Sequence, residues 1–208
     1  MSSAVGAQAG FDQTSAAFLA RSSIRLGILE SVIVVLFSFV ARFLEGAPGL
    51  ALESLLLVAG LAAVTTLPGL WTRARTIEGI AGAATIGFGA TVVFMLLDGA
   101  LFQRMGLYTH RWLAIGGGSY WWYIPVWWMA GTFIPWMGAW LLANQSGKGG
   151  VSVPGLLTST FAAGFVVAVA AIVAGFPGAA WGIGTFGVAY LPGLALAVGI
   201  SVLRARRA

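Results

Sequence analysis

Residues 77–101 read IEGIAGAATIGFGATVVFMLLDGAL, and this stretch decides the fold. It is long enough to cross the ~30 Å hydrocarbon core of a bilayer, which takes about 20 helical residues. Its only charges, Glu78 and Asp98, stand near its two ends. Small residues recur at four-residue spacing, Gly79, Ala83, Gly87 and Thr91, the pattern that lets membrane helices approach closely. At about 100° per residue Asp98 falls close to the face of Gly87, so the carboxyl is expected to point into the bundle.

Working outward, comparable apolar stretches occur near 27–46, 50–70, 119–142, 153–175 and 181–203. A membrane strand would need only about 9–11 residues with in-out alternation, which none of them has. Composition agrees: 59% of residues are hydrophobic and 8% charged, against roughly 25% charged in an ordinary soluble domain. The mean hydropathy is +0.94. The reading is an all-α polytopic membrane helical bundle of six transmembrane helices.

The connecting charges orient it. With the amino terminus inside, Arg21, Arg25, Arg73, Arg75, Lys148, Arg204, Arg206 and Arg207 lie on the cytoplasmic side. Arg42, Arg104 and Arg111 lie outside, a distribution that obeys the positive-inside rule. Both termini are therefore expected in the cytoplasm of a multi-pass protein of the cell (plasma) membrane. Residues 1–26 read as an interfacial segment, with Asp12 capping a short helix that lays Phe11, Phe18 and Leu19 on the membrane surface. Residues 27–203 form a single six-helix membrane domain and 204–208 a basic cytoplasmic tail. Asn144–Gly150 reads as a flexible inner linker.

Several classes are excluded or made remote. Scattered basic residues are topology signals, so no nucleic-acid partner is expected. The absence of cysteine removes thiolate chemistry, and a single histidine, His110, rules out paired-histidine centres; no metal site is expected and the cofactor stays open. Gly182, Gly184 and Gly187 spell GxGxxG, but no strand precedes them, so the run is read as helix packing.

Two features remain. The outer ends of the first four spans gather Arg42, Glu45, Glu53, Asp98, Gln103, Arg104, Tyr108, His110 and Arg111. A charge inside a span costs about 2.5–3.5 kcal/mol at the helix centre and is usually paired or facing a wet cavity. Asp98 is expected to pair with Arg42 or Arg104, with Arg42 on the inward face of Ser31 and Ser38. The second feature is the fourth span, YWWYIPVWW at 120–128, where Pro125 and Pro135 are expected to bend or open the helix. Interface belts account for most tryptophans, but Trp127 and Trp128 lie about 13 Å deep at 1.5 Å per residue.

Trp121, Tyr123, Trp127 and Trp128 are thus candidate walls of a pocket. Arg42, Arg104, Tyr108 and His110 are its polar contacts, and Asp98 and Glu53 its candidate catalytic acids. Such a pocket suits an apolar or isoprenoid-like small molecule, because an acid can protonate an alkene and aromatic faces stabilise positive charge. The plainer reading of the same charges is a salt bridge that fixes helix register. A solute carrier or substrate-binding subunit of an uptake transporter, and an accessory subunit of a larger membrane complex, are the alternatives. Membrane lipid, a hydrophobic small molecule and other membrane proteins are the partners expected.

Overall fold

Apolar side chains in a non-aqueous surrounding leave the peptide groups as the main polar burden, and only a helix satisfies them within one segment. A computed structural model describes residues 13–108, 123–146 and 152–207, and apart from turns and short connections these are helical. Six long helices follow in order: α1 (Ala16–Phe43), α2 (Gly46–Thr72), α3 (Ile77–Leu97), α4 (Tyr123–Ser146), α5 (Val153–Val173) and α6 (Ile183–Arg207). A π-helical turn, Asp98–Phe102, extends α3. Five of them, α1, α2, α3 with its π turn, α5 and α6, are long and apolar enough to cross a membrane, which is the character of a multi-pass membrane protein. The 24-residue α4 is long enough but is not among the five.

Helix α1 begins at Ala16, not near residue 27. Phe18 and Leu19, expected on the membrane surface, instead pack on a buried cluster of Leu26, Ile86 and Ala90. A continuous α1 carries both residues onto α3, where they are partly buried beside Leu26, Ile86 and Ala90. Phe11 and Asp12 lie outside the described residues. The expected linker also starts later: Asn144, Gln145 and Ser146 are still helical, and Asn144 donates to Ser201 of α6 at 3.0 Å. At the start of α5 the Ser152 hydroxyl accepts from the Gly155 amide at 3.2 Å, with Pro154 placed where a missing amide costs nothing.

Small residues set how the helices cross. A Cβ on Gly131 would collide with the Thr91 side chain, and one on Gly87 with the Gly131 carbonyl and the Pro135 ring. Gly87 and Thr91, half of the ridge read from the sequence, are thus the seam between α3 and α4. Close backbone approach replaces the hydrophobic drive that lipid does not supply. A Cβ on Gly138 would collide with the Thr65 carbonyl in the same way, and one on Gly69 would come within 2.9 Å of the Ala139 Cα, so α4 is also locked to α2. Gly193 lies against the Gly164 backbone and joins α5 to α6. The GxGxxG run takes little part in this. Among the described residues a Cβ on Gly182 or Gly184 would have no neighbour within 4 Å, and of the three glycines Gly187 alone faces another described helix, at Leu57 of α2. Gly182 precedes α6 and Gly184 sits in its first turn, beyond the reach of the other helices.

The contact order fixes directions. Leu19, Ser23 and Gly27 of α1 meet Gly82, Gly89 and Val93 of α3 in rising order, so α1 and α3 run parallel. Ile33 packs beside Gly60 of the returning α2. A larger core of Met137, Leu141 and Leu142 of α4, Leu156 of α5, and Tyr190 and Leu194 of α6 closes the other side. Within it Tyr190 is fully buried. Its hydroxyl shares a 2.8 Å hydrogen bond with Thr65 of α2 and donates to Thr160 of α5 at 3.4 Å.

Candidate functional site

Because α1 and α3 end together where α2 begins, one end of the bundle collects the residues singled out from the sequence. Asp98 is 1% exposed, on the buried side of α3 with Gly79, Ala83, Gly87 and Thr91, as the periodicity requires. Glu53, in the second turn of α2, is 4% exposed at the same end. A carboxyl group enclosed by apolar helices needs hydrogen-bond donors.

The π turn supplies one of them. Its hydrogen bonds close on the fifth residue, Gln103 amide to Asp98 carbonyl at 3.0 Å and Leu107 amide to Phe102 carbonyl at 3.0 Å. In an α-helix a side chain five residues on points about 140° away; the wider turn stacks Gln103 over Asp98 instead. The Gln103 amide nitrogen Nε2 accordingly donates to Asp98 Oδ2 at 2.6 Å. The second donor is the hydroxyl of Tyr108, which bonds Asp98 Oδ1. Asp98 thus receives neutral side-chain donors on both oxygens, and the arginine pairing expected from the sequence is not formed among the described residues.

Arg42 has a different task. In the last turn of α1 it is exposed rather than inward, and its Nη2 donates to the carbonyl of Gly106 at 2.6 Å and of Leu107 at 3.3 Å. The long side chain leaves the inward stripe of Ser31 and Ser38 and reaches along the surface, keeping its charge outside the apolar interior. Gly106 has φ +61°, a left-handed conformation that suits glycine and turns the chain after the π turn back over the helix end. Arg104 is exposed and is not brought onto Asp98.

The aromatic walls divide. Trp127 is half-buried and lies against Phe94, one turn before Asp98, with ring centroids 5.1 Å apart. Trp128 is 44% exposed on the outside of the bundle, edge-on to the exposed Phe88 at 5.9 Å, so it is not a wall of the Asp98 site. One residue further along a helix turns the side chain by about 100°, enough to carry it from the seam to the periphery. Tyr123 is the first residue of α4, with its side chain outside the description. Trp121 and His110 lie outside the described residues, as does Arg111.

Pro135 stays within a continuous α4 and is buried against Gly87. Pro125 falls in the first turn of α4, where proline removes no intrahelical bond. Neither opens a gap in the described helix.

The residue types place Gln103 and Tyr108 at this end of the bundle but give Gln103 no role, because nothing in them announces a π turn. Ser38, placed on the inward face by its spacing, is buried as expected at 3% exposed, but its hydroxyl has no hydrogen-bond partner among the described residues.

What the arrangement can do chemically is accept. Both oxygens of Asp98 take hydrogen bonds, one turn of helix from Phe94, whose ring lies against Trp127. Among the described residues no group of three or more acidic, histidine or cysteine side chains could hold a metal ion. The chain matches no protein-family model, no curated protein and no solved structure.

Proposed function

We propose that the chain is a six-span protein of the cell membrane with both termini in the cytoplasm, and that its outer end binds an apolar, isoprenoid-like small molecule carrying a hydrogen-bond donor or a cationic head. The observation that carries this reading is the burial of Asp98 at the end of an apolar helix, under neutral donors that a ligand head can replace. An ionisable group at such a position is costly and is commonly retained for function. The head would bond the Asp98 carboxylate, with Glu53 as the second acid of the same end. The apolar body would lie along Phe94 and Trp127, where an aromatic face adds about 0.5–2 kcal/mol for a cation.

Anchoring is favoured over acid catalysis. A general acid must present a proton to its substrate, whereas each Asp98 oxygen now accepts one. The six-span count rests on α4 crossing with the other five, locked between α2 and α3 by Gly131 and Gly138. The orientation rests on the eight basic residues that fall on one side and the three on the other.

Mass spectrometry of the gently purified protein tests the reading. The wild type should retain an organic molecule, and Asp98→Asn should lose it while the bundle stays folded. If no molecule is found and Asp98→Asn simply fails to fold, Asp98 is a structural lock.

A further inference from the structure

The start of α1 at Ala16 puts Glu30 at the middle of a membrane-crossing helix of 28 residues, with about 20 Å of helix on either side at 1.5 Å per residue. A glutamate side chain is too short to reach either membrane surface from that depth. At 100° per residue it stands amid the buried stripe, with Leu26 and Phe37 on one flank and Gly27 and Ser31 on the other. The half-exposed Ile28, Val32 and Phe39 lie on the opposite side of the helix. The carboxyl therefore points into the space that α1 shares with α2 and α3, not into lipid.

That space is apolar. One turn before Glu30, Gly27 lies against Ala90 and Val93 of α3, and one turn after it Ile33 lies against Gly60 of α2. The nearest charges on α2, Glu53 and Arg73, stand about two turns outward and more than three turns inward of Gly60. On α3 they are Glu78, in its first turn, and Asp98. Asp98 shares the side of Gly87 and Thr91, which faces α4, whereas Gly89 and Val93 face α1. Helix α4 carries no Asp, Glu, Lys, Arg or His from Tyr123 to Ser146, and on α1 itself Arg25 is exposed. Among the described residues no hydrogen bond or ion pair reaches the Glu30 carboxyl. Asp98, by contrast, receives donors on both oxygens from Gln103 and Tyr108. A carboxyl with neither donor nor cation beside it fits an apolar interior as the neutral acid, whose proton removes the charge that nothing there solvates.

We infer that Glu30 is a proton-binding site in the middle of the membrane, separate from the Asp98 end, and that its proton exchanges along the α2 side of the carboxyl. On that side the packing is open. None of residues 54–64 of α2 is buried, and a Cβ on Gly60 would meet only Ile33 among the described residues. Glu30 is accordingly only partly buried, whereas Asp98 is 1% exposed. The bundle thus carries two inward acids with opposite tasks, Asp98 as an acceptor and Glu30 as a holder and donor of a proton.

The test is infrared difference spectroscopy of the full chain in lipid bilayers at neutral pH, wild type against Glu30→Gln. The wild type should show the C=O stretch of a protonated carboxyl, Glu30→Gln should lose it, and transfer to D2O should shift it to lower frequency. The inference is overturned if no such band separates the two proteins, or if the band stays unmoved in D2O, which would mean a sealed group without exchange. Should Glu30→Gln not fold, the wild type alone decides. An apolar carbodiimide takes the proton of a neutral acid onto nitrogen while the carboxyl oxygen adds to its central carbon, and peptide mass spectrometry should find that adduct on Glu30. A Glu30 left unmodified at neutral pH overturns the inference as well. A molecule bound beside Asp98, or an empty outer end, alters neither readout.

Discussion

The Tyr108 hydroxyl donates to the carboxylate of Asp98 ten residues earlier, across a π turn that also stacks Gln103 over the same carboxylate. Two side chains from one short segment thus satisfy both oxygens of a buried acid. A hydrogen bond to a charged group contributes about 1.5–3 kcal/mol. Gln103→Ala should therefore lower unfolding stability by roughly that amount, measured by steric-trap or denaturant unfolding in mixed micelles. Stability unchanged by this substitution would mean that the Gln103 amide is not needed to keep Asp98 buried.

Gly131→Ala should be among the most damaging small substitutions, since its Cβ would occupy the space of the Thr91 side chain. Overpacking of this kind costs about 1–3 kcal/mol. Gly184→Ala is the control, with no atom of another described segment within 4 Å of the added methyl, and it should melt like the wild type. Equal thermal stability of the two variants would contradict the α3–α4 seam.

Tyr190→Phe removes the hydroxyl that joins Thr65 of α2 to Thr160 of α5. Interhelical hydrogen bonds in membrane proteins contribute ~0.6 kcal/mol on average and reach ~1.7 kcal/mol. The substitution should cost an amount in that range. A double-mutant cycle with Thr65→Val should show coupling, and strict additivity would count against the triad.

Ser38→Ala should do the opposite of most buried substitutions. Its hydroxyl is unpartnered among the described residues, whereas Ser31 one face-repeat earlier donates to the Gly27 carbonyl at 2.7 Å. Removing an unsatisfied buried hydroxyl relieves a desolvation penalty of about 1–3 kcal/mol, so Ser38→Ala is expected to leave stability unchanged or raise it. A clear drop in melting temperature would show that the hydroxyl is bonded in the membrane.

How far the residues alone could lead is clearest along α3. Its apolar length dictated a membrane helix, and the 100° step dictated that Gly79, Ala83, Gly87, Thr91 and Asp98 share a buried side. Periodicity carries that information because a regular helix rotates each side chain by a constant angle about its own axis. It carries nothing about what stands opposite. Gly87 could be read as a contact, but only packing chose Gly131 and Pro135 as its partners. Trp127 and Trp128 look equivalent as letters, and the position of α3 beside α4 sent one to Phe94 and the other to the periphery.

The regular step also fails where the backbone changes its hydrogen-bond register. No residue type encodes the π turn at Asp98–Phe102, and that turn brought Gln103 onto Asp98. Arg42 illustrates the remaining limit. Its Cα lies near the face of Ser31 and Ser38, yet a long flexible side chain ends where charge is best solvated and bonded, on the carbonyls of Gly106 and Leu107. The sequence by itself determined the helices, their membrane character and the inward aim of Asp98, because burial and helical rotation are local consequences of residue type and spacing. The tertiary structure alone decided which groups satisfy that carboxylate, because hydrogen-bond partners depend on distances between segments that no single helix contains.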